Sequence, residues 1–198
     1  MNIRQKLSAE DMRERILVVA EEHFRRIGYA KTAVADIAAA MNMSPANVYR
    51  FFPSKLAIND AICGKLMAEI DRLMEGICTR DEDAGIRLRM LFVELHRFNK
   101  TRLTDEHRLF DMVEVAMAED WPAIEAHCRS VAECIGHIIA SGIARGEFRA
   151  VDVPRYAETV FNATAKIFHP TLIAQCADED QIKQANDLAD LVIASLRP

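Results

Sequence analysis

Glycine and proline are scarce, seven and six among 198 residues. A fold of many short strands draws on both at nearly every reversal, so that class is excluded. Long apolar runs are missing as well. None approaches the roughly 18 residues that cross a bilayer. Met1 to Phe24 alternates charged with apolar residues where a secretion signal would carry an apolar block. A soluble, cytoplasmic protein with no membrane partner is expected. The five cysteines (Cys63, Cys78, Cys128, Cys134 and Cys176) are odd in number and never spaced C-x-x-C. A disulfide framework or structural zinc site does not fit that pattern, and reduced, buried thiols are expected. Signatures of catalysis are absent too: no G-x-x-x-x-G-K, G-x-G-x-x-G, H-E-x-x-H or G-x-S-x-G, and no Glu-x-x-His pair. His127 and Cys128 are adjacent and would point about 100° apart on a helix, a poor nucleophile–base pair. The chain is expected not to be an enzyme and to require no cofactor.

What is present is apolar and helical. Apolar residues make up 51% of the chain, ample for a packed core. The net charge of −5 is unevenly spread. Residues 1–60 hold nine Lys and Arg against seven Asp and Glu, a net of +2, while the remainder hold sixteen against twenty-three, a net of −7. A mildly basic head on an acidic body points the head toward an anion.

Ile16, Leu17, Ala20, Phe24 and Ile27 form one helical stripe, stopped at Gly28. Thr32 is placed to cap a second helix, Ala33 to Met41. Asn42 comes next, where the chain must turn, and asparagine tolerates the left-handed conformation. Ser44 before Pro45 is a strong helix start. A fourth helix opens at Pro53-Ser54-Lys55 and runs to about Met74, connecting the head to the rest of the chain. Gly64 inside it fits if packing needs a small residue. Beyond a polar stretch from Gly76 to Gly85, five more helices are expected at about 86–100, 105–118, 122–144, 154–169 and 179–196, with Gly142 and Gly146 closing the third of these and Pro170 interrupting the fourth. The fold class is all-α, about nine helices, with a small head at 1–56 and a larger body at 57–198.

Two short helices behind a longer support are the parts of a helix-turn-helix. Ala38, Ala39 and Ala40 let the third helix cross closely. Pro45, Ala46, Asn47 and Arg50 give it a solvent face, and Val48 with Phe51 or Phe52 anchors it inward. Gly28-Tyr29, Thr32, Val34, Ile37-Ala38, Ser44, Tyr49, Phe52 and Lys55 stand in the order and spacing of a known head. From Ile16 to Ile58 the chain resembles the tetracycline-repressor (TetR) family of transcriptional regulators. It departs at Asn42, where the family usually has glycine, and at Pro45, where a lysine or other polar residue is common.

The resemblance implies an effector-responsive repressor on a near-palindromic double-stranded DNA operator. Tyr49 and Lys55 resemble the family's phosphate contacts, with Thr32 and Ser44 as further backbone-positioning candidates. Asn47 suits adenine and Arg50 suits guanine edges. Arg4 and Lys6 are candidates for an arm on the duplex. The resemblance further implies a homodimer through about 154–169 and 179–196, and a pocket for a small-molecule or metal effector. Candidate pocket residues are Phe92, His96, Asp111, Val115, His127, Phe161 and His169. A metal, if bound, would draw on His96, Asp111, His127 and His169, and such a pocket would favour a cationic or metal-chelating effector. A solvated face explains His107, Asp111 and Glu114 equally well, and apolar packing explains the phenylalanines. The rival reading is a helical ligand-binding protein or enzyme with an unused head of this shape.

Overall fold

The head begins with a reciprocal cap. Ser8 Oγ accepts the Asp11 N–H, and the Asp11 carboxylate accepts the Ser8 N–H, starting a helix whose first turn is acidic and last turn basic. The computed structural model describes residues 8–104 and 122–198, and among these it is helical throughout with no strand. In chain order the elements are α1 (Ala9–Ile27), α2 (Val34–Ala40), α3 (Pro45–Tyr49), α4 (Lys55–Cys78), α5 (Ala84–Phe98) and a π-helical turn (Asn99–Thr104). Then come α6 (Pro122–Ala144), α7 (Val153–Ala163), α8 (Ala165–Phe168), α9 (Pro170–Gln175) and α10 (Gln181–Leu196). The expected helix over 105–118, and the arm residues Arg4 and Lys6, lie outside the described residues.

Four helix features differ from expectation. Thr32 does not cap α2: its hydroxyl donates back to the Gly28 carbonyl at 2.9 Å, and Asp36 instead accepts the Ala33 N–H at 2.8 Å. α4 runs a turn beyond Met74, to Cys78. The segment expected as one helix over 154–169 breaks at Thr164, whose buried hydroxyl donates to Phe161 O, and Pro170 then opens α9. Gly142 lies inside α6, and its reason is space: a Cβ there would lie 2.7 Å from the Ala84 Cβ and collide with the Phe148 ring. A Cβ at Gly64 would meet nothing within 4 Å among the described residues, so their packing does not explain that glycine.

The head buries Ile16, Ala20, Phe24, Ile37, Ala38, Val48, Phe52 and Ile58. Each large member contributes about 1.5–3 kcal/mol. In the body, α4 lies against α6, α6 against α7, and α10 against α5. Leu88, Leu91, Phe92, Ile135, Ile138 and Ile139 are wholly buried there. The apolar stripe of the last helix is used inside the protomer, with Ala185, Ala189, Val192 and Leu196 buried. Its outer side leaves Leu191 66% exposed.

The cysteines also require a correction. Cys78, the last residue of α4, and Cys134 on α6 form a disulfide, where five reduced thiols were expected. The two stand 56 positions apart, so no local spacing signals the pairing. Cys63, Cys128 and Cys176 are free. No helix among the described residues is long and apolar enough to cross a membrane.

Candidate nucleic-acid interface and effector cavity

α3 is short because it is stopped at both ends. Ser44 caps it by accepting the Asn47 N–H, and the turn before it passes through Asn42 at φ 54°, the left-handed conformation expected of that residue. After Tyr49 the chain tightens, with the Phe51 and Phe52 N–H groups both donating to Val48 O. Arg13 of α1 clamps this end: its guanidinium donates to Phe51 O at 2.5 Å and lies 4.3 Å over the Phe52 ring. Val48 is fully buried beneath, and Phe52 is the inward anchor, while Phe51 is only half-buried. Ser44, Pro45, Ala46, Asn47, Tyr49 and Arg50 are left exposed along a single short helix and its caps.

Thr32 and Lys55 are engaged by the protein's own backbone. Thr32 is 2% exposed with its hydroxyl engaged by Gly28. Lys55 Nζ donates to the Tyr29 and Thr32 carbonyls at 2.9 and 3.0 Å and lies 4.3 Å over the Tyr29 ring. It thereby ties the first turn of α4 to the loop before α2. Charge-assisted bonds of this kind fix geometry, and Lys55 sets how the head is held on α4.

In the body, α4, α5, α6, α7 and α8 line a partly open cavity of about 380 Å³. Met67, Leu95, Ile124, Val131, Phe161 and Phe168 supply its apolar walls; Asn99, His127, Asn162, Thr164 and His169 bring polar atoms. His127 is held below the usual histidine range by burial, which the Asp71 carboxylate opposes without overcoming. Among the described residues its Nδ1 has no hydrogen-bond partner, and it lies 4.0 Å from Asp71 Oδ1, which accepts from Ser130. A neutral imidazole at the wall can donate or accept one bond to a guest.

Of the residues expected at the pocket, His127, Phe161 and His169 line this cavity together. Phe92 and His96 do not. Phe92 is fully buried and meets Phe168 edge-on at 5.8 Å, so it backs a wall residue. His96 is fully buried, its Nδ1 donates to Ile167 O at 2.9 Å, and burial lowers its pKa. Beside it Asn99 donates to Phe168 O at 2.8 Å. These two bonds hold α8 on α5 and the π-helical turn that follows it. Asp111 and Val115, with His107 and Glu114, lie outside the described residues. Among the described residues no group of three or more His, Cys, Asp and Glu could hold a metal ion, so His96, His127 and His169 do not assemble one between them. The cavity's described lining includes no Lys, Arg, Asp or Glu, which gives the expectation of a cationic effector no support there. Met67, Leu95, Asn99, Cys128, Val131, Asn162, Thr164 and Phe168 were not anticipated. The usable signal was polar residues, Asn99 and Thr164, on otherwise apolar helix faces.

Comparison with known proteins decides the class. Residues 16–62 match the family model for bacterial regulatory proteins of the tetR family. Residues 84–189, more than half of the chain, match that for the tetracyclin repressor-like C-terminal domain. The chain belongs to the tetracycline-repressor family of transcriptional regulators. The regulator is 27% identical over 169 residues to the probable HTH-type transcriptional regulator ArpR of Pseudomonas putida, covering 80% of this chain and 79% of that one. Its fold is similar to that of a transcriptional regulator from Cytophaga hutchinsonii, with TM-score 0.74, 21% identity, and 93% and 98% of the two chains covered. It is also similar to SmeT, the repressor of the Stenotrophomonas maltophilia multidrug efflux pump SmeDEF, with TM-score 0.64, 21% identity, and 94% and 90% covered. SmeT is also known as a complex with triclosan. Family membership accounts for the division of the regulator into a head matched by one model and a body matched by another.

Proposed function

We propose that the regulator is a homodimeric repressor that a small molecule releases from a near-palindromic operator. In this reading residues 1–56 form the DNA-binding unit and residues 57–198 the effector-binding and dimerisation unit. The observation that carries it is the face of α3: Asn47, Tyr49 and Arg50 stand exposed on a helix whose opposite side, Val48, is sealed into the head. Asn47 and Arg50 read base edges, each bidentate contact worth about 1–3 kcal/mol of discrimination. Tyr49 and Ser44 contact phosphates, Pro45 and Ala46 let α3 approach the groove, and Thr32 and Lys55 set the angle of the head from within.

Two copies pair through the outer sides of 154–169 and 179–196. Leu191, two-thirds exposed, is an apolar anchor for that contact. The cavity takes the effector, as the SmeT complex holds triclosan. Operator and effector favour different placements of α4, so each weakens the other's binding by the same factor. The site of action is the cytoplasm, where the operator lies.

Selection of duplexes from a random pool by the purified regulator, at two salt concentrations, tests this reading. The expected product is a two-fold-symmetric motif whose binding weakens steeply with salt. Arg50→Ala is expected to relax preference at one base position per half-site. A folded, ligand-stripped protein that recovers no motif would instead favour a ligand-binding protein with an unused head.

A further inference from the structure

The Cys78–Cys134 bond joins the two elements through which the proposed repressor would communicate. α4 carries the head at its first turn, through Lys55 on the Tyr29 and Thr32 carbonyls and through Ile58 in the head core. Cys78 is the last residue of the same helix. α6 supplies His127 and Val131 to the cavity wall, and Cys134 lies one helical turn beyond Val131. A single covalent bond therefore spans from the helix that holds the head to the helix that walls the cavity. The same joint has a second tie, the buried Arg87, which donates to Cys78 O at 3.0 Å and to Ser141 Oγ of α6 at 2.8 Å. Hydrogen bonds of this kind keep the helices together when the sulfurs part yet can lengthen or exchange as α4 shifts, so only the covalent bond fixes the joint.

We propose that Cys78 and Cys134 are a reversible oxidation site, and that closing the bond with a low-molecular-weight disulfide lowers the regulator's affinity for its operator. The inference rests on the repressor reading. In a reducing compartment the pair stands as two thiols, and a repressor in its resting state holds the operator. The heads of a dimer must reach half-sites about one helical turn, ~34 Å, apart, and α4 must be free to adjust to that span. A bond from Cys78 to α6 removes that freedom.

The chemistry balances by exchange. Cys78 is half-buried while Cys134 is 8% exposed, so Cys78 is the entry thiol. Its thiolate attacks one sulfur of glutathione disulfide and expels glutathione. Cys134 thiolate then attacks the mixed disulfide at Cys78 and expels the second glutathione. Two protein thiols are oxidised, one external disulfide is reduced, and the two protons leave on the expelled thiols.

The test equilibrates the full-length wild-type protein in glutathione redox buffers. It assigns bridged peptides by alkylation and mass spectrometry, and measures binding to the selected duplex by fluorescence anisotropy. The expected result is a 78–134 bridge whose closure raises Kd about ten-fold, within the usual range of coupling between sites. Cys78→Ser and Cys134→Ser, in the same buffers, should bind with a Kd that no longer depends on redox poise. Because the wild-type comparison is made within one polypeptide, a variant that folds poorly does not compromise it. Failure to form the bridge, an unchanged Kd on closure, or tighter binding on closure each overturns the proposal while leaving the repressor reading intact. A reduced protein that binds no duplex overturns both.

Discussion

In the head, the surface assigned to DNA is written within one unbroken stretch, Ser44 to Arg50. In the body, the cavity wall draws on residues from Met67 to Pro170, contributed by several helices. The two regions are otherwise alike, each packed around wholly buried aliphatic and aromatic side chains. Their difference is in what a single residue does. A head side chain is aimed by its own helix and by the caps beside it, so losing one anchor loses the whole face. A cavity wall is shared, and each residue contributes only a portion of it.

The largest expected effect is at the anchor. Phe52 is 2% exposed and holds the end of α3 under Arg13. Phe52→Ala should destabilise by about 3–5 kcal/mol and abolish duplex binding. Phe161 is only half-buried and already borders open space. Phe161→Ala should cost about 1 kcal/mol, since truncation there enlarges an existing cavity. Urea midpoints at fixed m-value measure both. Equal losses at the two positions would erase the distinction between an anchored face and a shared wall.

The same contrast explains what the sequence disclosed. Helix starts at Ser44, Pro45 and Ser54, the interruption at Pro170, and the turn at Asn42 are local events set by neighbouring atoms, and they were readable. So was the exposure of Asn47 and Arg50 opposite Val48, a matter of helical period. Thr32 and Lys55 were legible as members of the pattern but not in their geometry, because the carbonyls that Lys55 holds are brought round by the chain's return 23 or more residues away. The cavity was half legible. His127, Phe161 and His169 stood out by chemistry, whereas Phe92 and His96 look identical in sequence and lie behind the wall. The Cys78–Cys134 pair was illegible for the same reason, being a product of α4 crossing α6.

An intermediate effect separates two roles for Lys55. Its ammonium holds two carbonyls while half-buried. Lys55→Met should cost about 1–2 kcal/mol of stability, discounted from the full strength of charge-assisted bonds for partial exposure. Duplex binding should weaken while the dependence of log K on log salt keeps its slope. If Lys55 instead neutralises a phosphate, the slope falls by about 1 and stability barely moves. The paired measurement therefore shows whether this residue belongs to the exposed face or to the frame beneath it.

The mildest effect lies in the body and depends on pH. Burial holds His96 and His127 below their ordinary value of 6.5, so the folded state keeps both neutral where the unfolded chain would protonate them. The unfolded state then binds more protons, and stability rises with pH across that window. The contribution is complete above about pH 6.5 and is lost as pH falls from there through the lowered folded values. Moving from about pH 7.5 to 5.5 should lower the urea midpoint. His127→Gln should flatten part of that slope without the loss that His96→Gln would add by weakening the tie to Ile167. Asp71 is the rival influence, since its carboxylate lies 4.0 Å from Nδ1 and favours the imidazolium. Were that attraction to outweigh burial, wild-type stability would rise toward acid and His127→Gln would remove the gain. The sign of one slope thus tells whether the imidazole meets a guest as a neutral donor or acceptor, or as a cation paired to α4.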